Sequence, residues 1–288
     1  MKGVILAAGY GTRFLPGTKT IPKEMFPLID IPAIHFIVAE MIEAGIQDIL
    51  IVTSRRKKPL EDYFDREVEL ESTFEDEGAH GKLHQIRPIE ANVFFLRQQR
   101  MAGTGNALLL VEPFIGDSPF VVAYPDDLLL EGPSLAGQMI ELYRETKRTV
   151  LAAQEVPDKD ISRFGVVASH MEDGVEIVDR MVEKPKKGTE PSRLVTYGRY
   201  LYTPEIFPAL KETLEAHKGP GEFTQTVAIN HLAAHGRVVI KRFEGKLLDV
   251  GTPLGYLEAF VEAGLARDEY RDAFREIIKR VAKREKLV

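Results

Sequence analysis

Residues 2–28 read KGVILAAGYGTRFLPGTKTIPKEMFPL. The opening run Gly3-Val4-Ile5-Leu6-Ala7-Ala8 is apolar without interruption, the pattern of a parallel strand buried on both faces. Gly9-Tyr10-Gly11 follows, where missing side chains let backbone come close to a ligand. Arg13, Lys19 and Lys23 then supply cations at intervals. A glycine turn leaving a strand, with spaced cations after it, suits a polyphosphate. Two well-known glycine loops do not fit. The dinucleotide fingerprint needs a third glycine where this chain has Phe14, and Gly17-Thr18-Lys19-Thr20 carries a threonine between the glycine and lysine of the Walker ending. Pro16 and Pro22 argue against a helix starting at the glycines, so the spacing predicts an extended, proline-stiffened loop over a phosphate chain. The plain alternative is a strand-to-helix connection with solvated Arg and Lys.

Outward from this segment, strand-like and helix-like stretches alternate. Ile34–Ala44 has helical apolar spacing with Gly45 as its stop, Asp48–Thr53 reads as a strand, and Arg55–Glu90 as a polar excursion with helices. Asn92–Leu96 and Pro119–Tyr124 are strands flanking a helix begun at Gly105–Val111; Ser134–Arg148 is helical and Thr149–Ala153 a strand. This βα alternation predicts an α/β fold, a Rossmann-like three-layer arrangement with helices on both faces of a mainly parallel, mixed sheet. In the second half Gly165–Ala168 and Val175–Val182 read as neighbouring strands around the turn Asp173-Gly174, followed by strands at Leu194–Leu201 and Val238–Phe243 and a run at Leu247–Thr252. From Leu254 onward the pattern is helical with a charged tail, so residues 1–253 are expected to form the main domain and 254–288 a helical appendage that either self-associates or packs on its own domain.

With 288 residues the chain can bury a sizeable core, and 44% hydrophobic and 28% charged residues are ordinary for a globular enzyme. A net charge of −6 argues against a broad nucleic-acid surface. The lack of cysteine excludes disulfides, thiolate metal sites and cysteine nucleophiles. No stretch approaches the 20 or so apolar residues of a membrane span and no signal peptide is evident, so the cytoplasm is the default expectation.

Four later clusters belong chemically with the opening loop. Arg97-Gln98 and Ala102-Gly103-Thr104-Gly105-Asn106 offer an amide that both donates and accepts, and a glycine against which a base can lie; a polar turn into a helix is the plain alternative. Asp126 ends an apolar strand, where ligands of open α/β sheets bind, and a carboxylate beside a polyphosphate suits Mg²⁺. Asp127 reads as a turn former beside it or as a group supporting it from behind. Asp249 is a second strand-end carboxylate, or else a turn residue before Gly251. Glu183-Lys184-Pro185 can serve sugar hydroxyls and a phosphate, though surface Glu-Lys pairs are common. The seven histidines show no zinc spacing, and Arg55-Arg56-Lys57-Lys58 reads as a solvated turn.

Taken in order, Leu6-Ala7-Ala8-Gly9-Tyr10-Gly11-Thr12-Arg13, Pro22-Lys23-Glu24-Met25, Arg97-Gln98, Pro125-Asp126, Val182-Glu183-Lys184-Pro185 and Gly198-Arg199-Tyr200 resemble the sugar-nucleotidyltransferase superfamily. Thr18-Lys19-x-Ile21-Pro22-Lys23-Glu24-Met25 and Gly255-Tyr256-x-x-Ala259-Phe260 are similar to its bacterial branch that joins UTP to glucose 1-phosphate. The resemblance implies Mg²⁺-dependent nucleotidyl transfer. It implies base contacts at Ala8, Gly9, Gln98 and Gly103, and triphosphate contacts at Gly11, Arg13 and Lys23. It gives Mg²⁺ to Asp126 and Asp249, the hexose to Gly165 and Glu183, and the sugar phosphate to Lys184. A homo-oligomer is expected, with no nucleic-acid or membrane partner. Gly221–Thr226 is similar to the family's Gly-Glu segment but lacks its Leu-Thr-Asp continuation. A relative using dTTP or another sugar phosphate, and a non-catalytic nucleotide-sugar-binding homologue, stay open at this level.

Overall fold

The structure is a computed structural model describing residues 1–157, 161–217 and 221–287; Val288, the end of the expected appendage, lies outside them. β1 (Lys2–Leu6) leads through three single-turn 3-10 helices (Thr12–Phe14, Gly17–Lys19, Lys23–Met25) to β2 (Pro27–Leu28), β3 (Ile31–Pro32) and α1 (Ala33–Glu43). β4 (Asp48–Thr53) precedes α2 (Lys58–Phe64), α3 (Val68–Asp76) and α4 (His80–Gln85). Then come β5 (Asn92–Arg97), α5 (Thr104–Ile115), β6 (Phe120–Ala123), β7 (Asp127–Glu131), α6 (Leu135–Thr146) and β8 (Thr149–Glu155). The second half holds β9 (Gly165–Glu172), β10 (Val175–Glu183), β11 (Leu194–Tyr202), α7 (Ile206–Ala216), α8 (Thr226–Ala233), β12 (Val238–Arg242) and β13 (Lys246–Asp249). It ends in α9 (Pro253–Ala266) and α10 (Asp268–Arg284).

Nine strands form one mixed sheet in the order β5-β4-β1-β6-β11-β8-β12-β10-β9. The first four are parallel, because helical crossovers connect β1 to β4, β4 to β5 and β5 to β6. From β1 the chain steps outward to β4 and β5, then returns to the other side of β1 with β6. The carboxyl ends of β1 and β6 therefore flank a topological switch point, where such sheets bind ligands. β11 runs antiparallel to β6 and β8, and β9 and β10 form the expected hairpin, with Asp173 and Gly174 both at positive φ as a tight turn requires. Along β1 successive residues alternate between two cores. Val4 packs in the layer beneath α5, α7 and α8, while Ile5 packs beneath α1, α6 and α9.

Three features differ from the sequence reading. The opening loop is not extended but coils through its three 3-10 turns, with Gly11 left-handed at φ 68° and Thr18 Oγ1 donating to the Gly11 carbonyl at 2.8 Å. β7 was hidden in the residues after Asp126, since it is held by antiparallel pairing with β13, a partner more than a hundred positions away. α7 and α8 were also missed, although Ile206, Phe207 and Leu210 lie on one helical face.

Arg199, fully buried, braces the site from behind. Its guanidinium donates to both carboxylate oxygens of Glu40 of α1 through Nε and Nη2 (3.1 and 2.7 Å), and through Nη1 to the carbonyl of Tyr124 just beyond β6. Breaking such a buried pair by removing one partner costs about 3–5 kcal/mol. At the front, Tyr256 of α9 joins Phe14 and Phe26 in a cluster of edge-on rings 5.3–6.1 Å apart, so α9 grips the opening loop. Among the described residues no helix is long and apolar enough to cross a membrane.

Candidate active site

Two cavities open side by side, the first along the carboxyl ends of the parallel strands and the second beside the antiparallel β9, β10 and β11. The first, about 250 Å³, is the loop lobe: Ala8 and Gly9 beyond β1, Gln98 beyond β5, Gly103 before α5, and Lys23 with Glu24 from the third 3-10 turn line it. A side chain on Gly9 would meet nothing within 4 Å, so the bare backbone there faces open space. Gln98 is buried, its amide nitrogen donating to the Gly103 carbonyl at 3.3 Å and to Asn106 Oδ1 at 3.5 Å. Gly103 has φ 98°, and a Cβ on it would strike the backbone of Phe223. Its glycine requirement thus comes from the chain crossing over it: Phe223 N–H donates to Ala102 O and Gly105 N–H to Phe223 O, both at 3.0 Å.

The second cavity, about 300 Å³, is the hairpin lobe, lined by Gly165 and Glu183 of the β9–β10 hairpin, Lys184, Tyr200 of β11, Arg13 and Asp249. Gly165 stands in register with Glu183 on one side and Thr196 on the other. A Cβ there would sit 2.9 Å from Thr196 Oγ1 and 3.3 Å from Glu183 Oε2. Lys184 follows the strand at φ 45°, a left-handed value sparsely populated by non-glycine residues, and its N–H is tied to Phe164 O at 3.0 Å. The lobes share Thr104, Tyr124, Asp126 and Glu222 as a common wall.

Charge concentrates at this wall. Lys23 Nζ lies 2.5 Å from Asp126 Oδ2, and Arg163 lies 2.8 Å from Asp249 Oδ2. A Cβ built on Gly251 would be 2.5 Å from Asp126 Oδ2 and 2.8 Å from Asp249 Oδ1, so the two carboxylates converge on one glycine. Burial works against the Lys23 charge, but Asp126 and Glu24 outweigh it and raise its pKa. Burial likewise opposes the Asp126 charge, yet Lys23 holds its carboxyl below the usual range. Asp127 goes the other way: burial, then the charges of Asp126 and Asp249, push it up to about 7, although Gly198 N–H donates to it at 2.7 Å.

Of the residues singled out in the sequence, Ala8, Gly9, Lys23, Gln98 and Gly103 line the loop lobe. Arg13, Gly165, Glu183, Lys184 and Asp249 line the hairpin lobe, and Asp126 lines both. Gly11 lines neither; its left-handed turn lets Thr18 and Lys23 pack against it. Lys57, expected in a solvated turn, is buried with its Nζ 2.6 Å from Glu24 Oε1. Sequence reasoning gave no role to Glu24 or Arg163, and none of its own to Gln225. Glu24 adjoins Lys23, and Gln225 lies in the family-like Gly221–Thr226 segment, while Arg163 carries no local signal. Among the described residues no group of three or more His, Cys, Asp or Glu is arranged to hold a metal. The converging Asp126 and Asp249 oxygens are the donor set that Mg²⁺ uses when substrate phosphates and water complete its shell.

A family model described as nucleotidyl transferase matches residues 2–264. A UTP–glucose-1-phosphate uridylyltransferase of Staphylococcus epidermidis is 40% identical over 283 residues, covering 97% of this chain and 98% of that protein. A UDP-glucose pyrophosphorylase solved with UDP-glucose superposes with a TM-score of 0.80 at 39% identity, over 92% of this chain and 99% of its own. A UTP-bound UGPase of Acinetobacter baumannii reaches a TM-score of 0.85 at 35% identity, covering 96% of this chain and 98% of its own.

Proposed function

The chain belongs to the nucleotidyl transferase family, and from that premise we infer that it is a UTP–glucose-1-phosphate uridylyltransferase, making UDP-glucose and pyrophosphate. The observation that carries this reading is the shared wall: two lobes, one glycine-lined and one hairpin-lined, abut at Asp126 and the Lys23 ammonium. UTP occupies the loop lobe. Ala8, Gly9, Gln98 and Gly103 surround the uracil, and Arg13 and Lys23 meet the triphosphate. Gly11 acts through the turn that seats Lys23. Glu24 has Oε1 taken by Lys57 and Oε2 without a partner, which suits it to accept from a ribose hydroxyl. Glucose 1-phosphate occupies the hairpin lobe, with Gly165 and Glu183 at its hydroxyls and Lys184 at its phosphate.

An oxygen of the sugar phosphate attacks the α-phosphorus of UTP in line. The new P–O bond forms as the bond from the α-phosphorus to the bridging oxygen breaks, and pyrophosphate leaves with that electron pair. With a second phosphate pKa of about 6, the attacking group is already anionic at neutral pH, so no residue need take a proton. Arg13, Lys23 and Lys184 bring two anions together and neutralise charge gathering on the α-phosphate and leaving group. Asp126 and Asp249 would hold Mg²⁺, which when bound supplies Lewis-acid stabilisation of phosphate oxygens. A nucleoside triphosphate and a sugar phosphate are substrates that suit a cytoplasmic reaction. Leu254, Leu257 and Ile277, exposed on α9 and α10, suit a homo-oligomer contact.

Pyrophosphate release is the test, measured for UTP, dTTP and other nucleotides against glucose 1-phosphate and other hexose 1-phosphates. UTP with glucose 1-phosphate is expected to give the highest kcat/KM. No release from any pair would refute the reading, and a preference for dTTP would move the chain to the neighbouring branch.

A further inference from the structure

Four buried side-chain atoms among the described residues have no hydrogen-bond partner: Glu24 Oε2, Thr53 Oγ1, Tyr202 OH and Gln225 Oε1. Thr53 and Tyr202 line neither lobe, and Glu24 faces the nucleotide. Gln225 belongs to the sugar lobe and is only 2% exposed. It lies in the Gly221–Thr226 segment that departs from the family's Leu-Thr-Asp run. Its backbone is fixed at both ends, the N–H donating to Thr104 Oγ1 at 3.2 Å and the carbonyl accepting from Ile229 N–H at 3.0 Å. The side chain is therefore presented from the rigid start of α8, its amide nitrogen turned to the Tyr200 hydroxyl and its oxygen left without a partner.

A buried amide with an idle carbonyl is destabilising, a penalty that an apolar side chain of equal length would avoid. The loss is recovered if a ligand donates to that oxygen. An acceptor-only atom repels a phosphate and attracts a hydroxyl, and the anomeric oxygen is excluded because it is esterified and carries no proton. Resting on the uridylyltransferase reading above, we propose that Gln225 Oε1 accepts a hydrogen bond from one non-anomeric hydroxyl of the hexose 1-phosphate, making Gln225 a specificity-determining residue of the sugar lobe.

The experiment compares kcat/KM for glucose 1-phosphate and its 2-, 3-, 4- and 6-deoxy forms, with UTP saturating, in the native enzyme, Gln225→Met and Gln225→Asn. Turnover of glucose 1-phosphate by the native enzyme is measured first; its absence is a failure of the uridylyltransferase reading and not of Gln225. The native enzyme is expected to disfavour at least one deoxy analogue by about tenfold to a hundredfold. Gln225→Met should bring the ratio for a single such analogue close to unity and leave the other three ratios and the UTP KM unchanged. Gln225→Asn, whose amide is withdrawn by one methylene, should relax the same ratio. Three results overturn the proposal: a native enzyme that treats all four analogues within about twofold of glucose 1-phosphate, variants whose ratios match the native ones, or variants in which all ratios change together. Gln225→Asn, the smaller change, keeps the test readable if Gln225→Met fails to fold.

Discussion

The loop lobe and the hairpin lobe, proposed above for nucleotide and sugar, share a wall but are built by opposite means. The loop lobe forms where parallel strands end: β1, β5 and β6 deliver Ala8, Gly9, Gln98 and Asp126 to one rim, each from a short contiguous segment. The hairpin lobe forms on the faces of antiparallel strands. Gly165 meets Glu183 and Thr196 only because β9 pairs with both β10 and β11, and Asp249 arrives only because β13 pairs with β7. A parallel sheet places a site at its strand ends by topology alone. An antiparallel site depends on register, which a shift of one residue would abolish.

The largest effect is expected at the wall itself. Asp126→Asn leaves Lys23 buried without its counter-charge and removes half of the carboxylate pair facing Gly251, so both lobes should suffer. A fall in kcat/KM on the order of a thousandfold, with a weakened response to Mg²⁺, is expected in the pyrophosphate assay. A defect confined to UTP affinity would show that the wall belongs to one lobe. Lys184→Ala should strike the sugar lobe alone. Turnover should drop about a hundredfold while UTP affinity, followed by titration calorimetry, stays within about twofold. Matching losses of UTP affinity and turnover would erase the separation between the lobes.

The contrast also explains what the sequence made legible. Residues 2–28 declare a strand, a glycine turn and spaced cations because those signals are local, and the structure keeps them together. Two glycine loops read differently in three dimensions. The loop within residues 2–28 coils rather than extends, and the later Gly103 is bare for Phe223 rather than only for a ligand, since chain crossings leave no local trace. Gly165, Glu183 and Lys184, singled out by motif, line the hairpin lobe together, whereas Asp127 read as a turn former or a group supporting Asp126. Its burial between Asp126, Asp249 and the Gly198 amide depends on β6, β11 and β13 meeting. Arg199 could be quoted but not understood until Glu40, 159 positions away, was seen against it.

A smaller effect is expected at Glu24, and it is private to the nucleotide lobe. Glu24→Gln should weaken the acceptor offered to the ribose while retaining side-chain volume. The ratio of kcat/KM for UTP over dUTP should fall by about tenfold, and the glucose 1-phosphate KM should stay unchanged. Removing the anion beside buried Lys57 will also lower stability, so the ratio, which cancels any loss of folded enzyme, is the quantity to read. An unchanged ratio would take Glu24 out of the ribose site.

The smallest effect separates the two neighbouring aspartates by sign. Asp126, lowered by Lys23 against the opposing effect of burial, stabilises the fold above its unfolded pKa, and that contribution is lost as pH falls. Asp127 is raised from 3.8 to about 7, so between those values the native state holds a proton that the unfolded chain has released. Its contribution to stability therefore declines as pH rises through that window. In protein freed of metal by a chelator, the melting midpoint should fall more steeply between pH 5 and pH 7 for the native chain than for Asp127→Asn, whose amide cannot ionise. Equal slopes would mean that Asp127 shares the ionised state of Asp126, and that the sugar lobe carries one more negative charge at neutral pH than its geometry favours.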